Sequence, residues 1–470
     1  MLFLPELTIL GAGLLFFLLT LGQPSETTIK TCAVAAAAVI LFATVLCLNQ
    51  GGELFYGAYR VDLFSQVFKV LIAAATLVVF LFGNGLTGIK QDSRPEYYLF
   101  LLVSNLGLMM LVSSVDLLAI FIALELSSFA VYIMVPMRTT STGIFFQMEA
   151  GIKYLLFGVM ATGIMLFGMS YIFGLTGTTG LDGIAQQLPI LANRPAAVVA
   201  MLMILAGFFY KLAIFPFHFW VPDVYEGAAN ETTAFIAAVP KMAAVALLIR
   251  LTSLASHQGE MVLNLLMVCS IASMFYGNLS ALVQKDLKRM LGFSGIAHAG
   301  FILLGLLTFK LSGYANSLYY IIGYALMNLA CFLVICQVAA KGENVGISDL
   351  SGLHKRAPIL ALTLTVALFS LAGIPPFVGF TGKFMLLVGA LREDHLLLVT
   401  LAAINTAIAI YYYLSVVRMT FCSDSNGLGN VQTGFLTNSL SLILVTVIIV
   451  MGVAPSWFVG MAETAIKTIH

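Results

Sequence analysis

The sequence predicts an all-α polytopic membrane protein of about fourteen transmembrane helices, arranged as two inverted five-helix repeats in which helices 7 and 12 are broken. Three observations carry that reading. The 470 residues are 61% hydrophobic and only 9% charged, with a mean hydropathy of +1.04, whereas an ordinary soluble domain holds about 25% charged residues. About fourteen apolar stretches approach the roughly 20 residues that a bilayer-crossing helix needs. Two long stretches, five apart, carry proline amid aromatics in similar passages, "AIFPFHFW" and "AGIPPFVGF".

In chain order, stretches near 3–21, 31–49 and 62–83 make an N-terminal unit, 1–96. The first has no lysine or arginine ahead of it and contains Glu6, so it reads as a retained span and not as a cleaved signal. Stretches near 97–113, 116–136, 150–173, 197–222 and 231–250 make the first repeat, 97–253. Those near 261–282, 292–308, 315–340, 358–391 and 396–417 make the second, 261–418, and a last one near 436–458 lies in a C-terminal unit, 436–470. An offset of five helices is odd, so the repeats are inverted, an arrangement in which transporters place broken helices at the functional centre.

Loop charges set the orientation. Lys30, Lys90, Arg94, Arg138, Lys285, Lys288, Arg289, Lys341, Lys355, Arg356 and Arg418 fall on one side; Arg60, Arg194, Arg250, Lys310, Arg392 and Lys467 fall on the other. The richer side is cytoplasmic by this rule, which leaves both termini outside. "QKDLKRM" reads as a basic cytoplasmic turn. With net charge +1 and no basic block, nucleic acid is not an expected partner. The six cysteines have no ligand spacing and read as apolar packing residues, so no metal site is expected. "GNGLTG", Gly83 to Gly88, matches a dinucleotide fingerprint only literally, since it follows a membrane helix and opens no βαβ unit.

Chemistry is concentrated in the charges left inside apolar stretches. Such a charge costs on the order of 3 kcal/mol and usually marks an ion or proton path. Glu125, in "LLAIFIALELSSFAVYIMV", is the acid central to a stretch, and it needs a lysine from another helix to stay ionised. Lys211 stands five residues before Pro216, whose missing N–H frees the carbonyl of Leu212. Lys241 adjoins a proline, and Lys383 follows the double proline Pro375–Pro376, with Gly379 and Gly382 leaving room for water. Burial disfavours a lysine's charge and a carboxylate restores it, so such lysines can exchange protons. Each can also be a side chain that snorkels to the interface. Lys153 and Lys69 lie closer to helix ends, where snorkelling is easier. His218, seven residues after Lys211, and His298 are either relay stations or packed histidines.

"FYKLAIFPFHFWVPDVYEGA", "AAVPKMAAVALL", "QKDLKRMLGFSGIAHAGF" and "FSLAGIPPFVGFTGKFML" resemble the antiporter-like membrane subunits of respiratory complex I, NADH:quinone oxidoreductase. That family includes Mrp-type cation/proton antiporters and membrane-bound hydrogenases, and the resemblance covers about residues 60–420. "DVYEGA" and the lysine at 383 are most similar to the family's N branch. The resemblance implies a proton relay of Glu125, Lys211, Lys241 and Lys383, in which Glu125 and Lys211 pair, with Lys153 less central. It implies a bacterial inner-membrane location, other complex I membrane subunits and the lipid bilayer as partners, and no cofactor on this chain, with FMN, Fe–S clusters and quinone on other subunits. "EGAANETTAF" departs from relatives that carry proline after the alanine or glycine. A free-standing cation/proton antiporter, a hydrogenase subunit, a membrane scaffold and a small-anion carrier are the competing classes.

Overall fold

Large apolar side chains cover the outside of this protein as well as its interior. Leu14, Phe17, Phe42, Ile122, Phe129, Leu156, Phe167 and Ile443 all face outward, a surface that is stable against hydrocarbon. The structure is a computed structural model that describes residues 1–22, 24–82, 86–139, 145–191, 194–254, 260–422 and 428–469. Residues 83–85 of the "GNGLTG" match lie outside the described residues.

The chain is helical except for one small hairpin, β1 (Gly52–Leu54) paired with β2 (Tyr59–Val61). The N-terminal group holds α1 (Leu4–Thr20), α2 (Glu26–Leu46) and α3 (Leu63–Phe80). Next come α4 (Arg94–Ser113), α5 (Leu117–Met134), α6 (Phe145–Thr176), the short α7 (Leu181–Leu191), α8 (Pro195–Leu212), α9 (Trp220–Gly227) and α10 (Asn230–Leu254). Then follow α11 (Glu260–Ala281), α12 (Leu287–Leu306), α13 (Leu311–Val338), the single turn α14 (Leu353–Arg356), α15 (Pro358–Ala372), α16 (Val378–Arg392) and α17 (Leu396–Cys422). The last two are α18 (Phe435–Val453) and α19 (Pro455–Ile466). Among the described residues, twelve helices are long and apolar enough to cross a membrane, and α1 and α15 are shorter apolar helices. The all-α polytopic class stands, with the hairpin, α7 and α19 as elements that apolar run length does not signal.

Side-chain caps start several helices where the sequence supplies a short polar group. Ser25 accepts from the Thr28 amide at α2, and Asp62 with Ser65 forms a capping box at α3. Asp116 caps α5 and Asp286 caps α12. Each such cap is worth about 1 kcal/mol.

Similar neighbour relations occur in the two groups of helices. In the first, α4 packs on α5, α5 on α6, α6 on α8 and α9, and α10 on α4 and α8. In the second, α11 packs on α12, α12 on α13, α13 on α15 and α16, and α17 on α11 and α15. Across the groups α10 packs on α13 and α12. These three helices form the heart of the protein: 94% of the crossing stretch is buried in α10 and in α12, and 83% in α13, against 33% in α2 and α17.

Both helix breaks are present, and the first does not begin where the proline argument put it. α8 ends at Leu212, before Pro216, because Ala213 turns into the left-handed region at φ 64°. The Ala213 and Ile214 amides then bond back to the Tyr210 and Phe209 carbonyls at 3.1 and 2.8 Å. α15 ends identically in pattern: Gly373 has φ 87°, and the Gly373 and Ile374 amides bond the Ser370 and Phe369 carbonyls, both at 3.0 Å. This is the Schellman arrangement, which satisfies carbonyls that a helix end would leave bare. The prolines that follow prevent helical continuation; Phe215–Pro216 and Pro375–Pro376 are both cis.

Three further expectations change. "QKDLKRM" is not a turn throughout, since α12 starts at Leu287 and Lys288 is fully buried. Asp286 supplies the cap that lets the helix begin five residues earlier than its apolar run. Arg250 and Arg138 are likewise buried: Arg250 pairs with Asp62 at 2.9 Å, and Arg138 donates to main-chain carbonyls of Glu226 and Gly342. Gly379 and Gly382 leave no room for water. A Cβ on Gly379 would overlap the Ser370 carbonyl, and one on Gly382 would meet the Tyr320 ring at 2.6 Å, so these glycines permit close helix contact.

Ala213 carries a side chain in a conformation that costs an L-residue about 1 kcal/mol, so Ala213→Gly is expected to stabilise the purified protein by about that amount. The midpoint of heat-induced unfolding checks this; an unchanged or lower midpoint contradicts the role given to the turn.

Candidate functional site

The buried polar groups gather on the breaks and on the three central helices. Lys211 occupies the last turn of α8, 2% exposed, and donates from Nζ to Ser128 Oγ at 2.8 Å. Ser128 lies on α5 one turn beyond Glu125, and its own hydroxyl proton goes to the Leu124 carbonyl at 2.8 Å. The serine oxygen is therefore aimed as an acceptor. Glu125 borders an apolar hollow of about 480 Å³ that Phe121, Phe129, Val159 and Thr162 help to line, and its Oε1 has no hydrogen-bond partner among the described residues. Among the described residues no ion pair joins Glu125 to Lys211, so the expected couple is not formed here; α8 meets α5 through Lys211 and Ser128 instead.

The tail of α8 is tied to α9 by aromatics. Trp220 Nε1 donates to the Tyr210 carbonyl at 3.0 Å, and Tyr210 Oη donates to the Tyr154 carbonyl at 2.8 Å. Lys211 is thereby held at a fixed height beside α5.

Lys241 lies in α10 directly after Pro240, which the helix accommodates without ending. Its Nζ donates to Tyr324 Oη of α13 at 3.1 Å and sits 5.1 Å from that ring's centroid. A Cβ on Gly295 would come within 2.9 Å of this Nζ and 2.7 Å of Tyr324 Oη, so only a bare Cα on α12 leaves space for the pair. One turn on from Gly295, His298 faces Tyr324 with ring centroids 5.2 Å apart. His298 Nδ1 bonds Tyr320 Oη at 2.6 Å, and Nε2 bonds Tyr413 Oη of α17 at 3.2 Å.

Lys383 reaches back from α16 to the end of α15. Its Nζ donates to the carbonyls of Leu371 at 2.8 Å and Ala372 at 3.3 Å, and lies 5.0 Å from the Phe301 centroid. The C-terminal end of a helix carries partial negative charge and bare carbonyls, which suits an ammonium.

Two candidates lie apart from this line. His218 sits in the turn between α8 and α9, among the rings of Phe215, Phe219 and Tyr276, and neither ring nitrogen has a partner among the described residues. Because α8 has already ended at Leu212, helical phase does not carry from Lys211 to His218. Lys153 has a half-exposed side chain paired with Glu149 at 2.6 Å and Asp223 at 2.7 Å. Asp223 also pairs with Arg289, which reaches Glu226, each at 2.8 Å. Lys153 thus belongs to a charge network at the end of α9.

Ser128, Tyr324, Tyr320, Tyr413 and Gly295 escaped the sequence reading. None is charged, so none stands out in an apolar run; the available signal was the spacing of Tyr320 and Tyr324 in "SLYYIIGYALMN", four apart and hence on one helix face. Among the described residues no group of three His, Cys, Asp or Glu side chains is placed to hold a metal ion.

Comparison with known proteins gives concordant matches. The family model described as NADH:quinone oxidoreductase/Mrp antiporter, TM, matches residues 114–409. NADH-quinone oxidoreductase subunit N 2 of Opitutus terrae is 50% identical over 470 residues, covering 99% of this chain and 98% of that protein. A chain of respiratory complex I from Thermus thermophilus superimposes with a TM-score of 0.84 at 28% identity, covering 98% of this chain and 99% of that one. A chain of the Mrp complex from Dietzia sp. shares the fold at a TM-score of 0.86 and 21% identity, covering 100% of this chain and 96% of that one.

Ser128→Ala would strip Lys211 of its acceptor. The loss is expected to destabilise the purified protein by about 1–3 kcal/mol, the usual effect of orphaning a buried polar group, read as a lowered unfolding midpoint. A midpoint equal to wild type would show that the hydroxyl does not hold the ammonium.

Proposed function

Because this chain belongs to the NADH:quinone oxidoreductase/Mrp antiporter membrane family, we propose that it moves protons across the membrane along Glu125, Lys211, Lys241, His298 and Lys383, as an N-type subunit of an NADH:quinone oxidoreductase. The observation that carries this reading is that Lys211 is bonded to a neutral hydroxyl one turn away from Glu125. An ammonium facing a carboxylate keeps its proton, and one facing only a hydroxyl in apolar surroundings gives it up more readily. A small movement of Lys211 between Glu125 and Ser128 therefore loads and unloads a proton.

The magnitudes agree. Carrying one charge through 100 mV costs about 2.3 kcal/mol, and breaking a buried ion pair is worth roughly 3–5 kcal/mol. One opening of the Glu125–Lys211 couple matches one proton.

Beyond Lys211, the proton passes to Lys241, whose bond to Tyr324 Oη points it toward His298. Their rings lie 5.2 Å apart between centroids, and a water bridging the two would complete this step. The imidazole, bonded on both nitrogens to tyrosine hydroxyls, can accept a proton on one side and release one on the other. Lys383 receives it at the end of α15. Lys153 stands outside this line, in the surface network, and His218 is a station only if water reaches its unpartnered nitrogens.

The driving energy comes from quinone reduction in other subunits, which hold the FMN, Fe–S clusters and quinone. Sister antiporter-like subunits and the bilayer of the bacterial inner membrane are the partners, with both termini on the outer side.

Lys211→Ala tests this. In inside-out membrane vesicles, the variant complex is expected to assemble on a native gel while NADH-driven quinone reduction and acidification fall together, each by at least about tenfold, the rate equivalent of ~1.4 kcal/mol. Assembly, turnover and acidification all at wild-type levels would make the lysine structural and overturn the reading.

A further inference from the structure

A second cluster of buried ionisable groups lies outside the line from Glu125 to Lys383, at the junction of α1, α3 and the hairpin. Glu6 and Lys69 have side chains with 0% exposure and pair at 2.8 Å. Lys69 does not snorkel. Tyr59 Oη donates to the same carboxylate oxygen, Glu6 Oε1, at 2.5 Å and accepts from Lys69 Nζ at 3.0 Å. The other carboxylate oxygen, Glu6 Oε2, has no partner among the described residues; nor do either of the amide atoms of fully buried Gln66, or Ser113 Oγ.

Gln66 lies between Asp62 and Lys69 on one face of α3. Asp62 accepts from Arg250 Nη2 with both oxygens, at 3.1 and 2.9 Å, and Arg250 Nε and Nη1 have no partner among the described residues. The same Nη2 donates to the carbonyl of Val112, next to Ser113. Bare polar atoms therefore extend from Glu6 to Arg250. Each would cost about 1–3 kcal/mol if left dry, and buried water is the usual partner of such groups. Arg250 follows Lys241 on α10 by roughly 14 Å of helix rise. The charged and titratable groups facing the pair are Asp62 of the α3 cap, Cys47 at the end of α2 and the amino terminus, with Arg250 behind Asp62.

We propose that Glu6, Tyr59 and Lys69 form a second buried acid–base site, filled by ordered water, that takes up and releases a proton independently of the Glu125 to Lys383 relay. In the resting form Glu6 is a carboxylate, Lys69 an ammonium and Tyr59 neutral. A hydronium ion in the water chain gives its proton to Glu6 Oε2, forming the carboxylic acid and leaving water. Lys69, without its counter-charge, is then held by Tyr59 Oη alone. Release reverses these bonds, and no electron moves.

Infrared difference spectra of the purified complex, stepped between acidic and neutral pH, test the site. Wild type is expected to show a carboxylic-acid C=O band that shifts in Tyr59→Phe and disappears in the double variant Glu6→Gln, Lys69→Met. That variant removes both charges together, so it leaves no unpaired ion. The band is expected to persist in Glu125→Gln, which separates failure of this site from failure of the relay. A band unaltered in Tyr59→Phe and in the double variant, or no band in wild type, would reduce the cluster to a fixed link between α1 and α3. Should the double variant not assemble, Tyr59→Phe alone decides: an unshifted band overturns the proposal.

Discussion

Buried ammonium groups held by neutral oxygens are the constraint from which the rest of this protein follows. Lys211 rests on a serine hydroxyl, Lys241 on a tyrosine hydroxyl, Lys288 on the Ala228 carbonyl and Lys383 on the carbonyls of Leu371 and Ala372. An ammonium so placed is costly, because among the described residues no carboxylate is in contact with it to repay the desolvation of its charge. In the proposed relay this same placement serves proton exchange, since the neutral amine is tolerated there. Lys69 differs from these four in having the Glu6 carboxylate against it, at 2.8 Å.

The ends of α9 and α15 supply two of these oxygens, the carbonyls that hold Lys288 and Lys383. A continuous helix spends its carbonyls internally, whereas a terminated one has four to offer. α8 and α15 both stop with a left-handed residue and two returning amides, so the break is a rigid cap and not a frayed end. At α15 two carbonyls of the final turn are left for Lys383; at α8 the cap fixes Lys211 within reach of α5. Corresponding turns in the two helix groups thus serve one lysine each, by different chemistry. Between them the central helices α10, α12 and α13 exclude lipid and present Lys241, His298 and the tyrosines to one another.

Much of this was legible from composition because charge is conspicuous in an apolar run. Glu125, Lys211, Lys241 and Lys383 stood out for that reason, and so did both proline-marked breaks and the all-helical class. Groups whose polarity is confined to one atom were not legible. Ser128 and Tyr324 look ordinary in sequence, yet they decide where two lysines point. Lys288 was assigned to a loop because its neighbours are polar and Arg250 because it ends an apolar run, while a cap and partners from distant segments draw them inside. The Glu6–Lys69 pair joins residues far apart in the chain, and a single sequence gives no sign of such a contact. Nor does alanine announce a left-handed turn, which is why the first break was placed at Pro216 instead of Ala213.

The proposed relay needs two positions of Lys211, one on Ser128 and one against Glu125. High-resolution density maps of the complex at rest and during NADH-driven turnover would measure the separation of Lys211 Nζ from the Glu125 carboxylate in each state. The relay requires a second population in turnover with the two groups within ion-pair distance, about 4 Å. A lysine that stays on Ser128 in every state, with protons still moving, would contradict it.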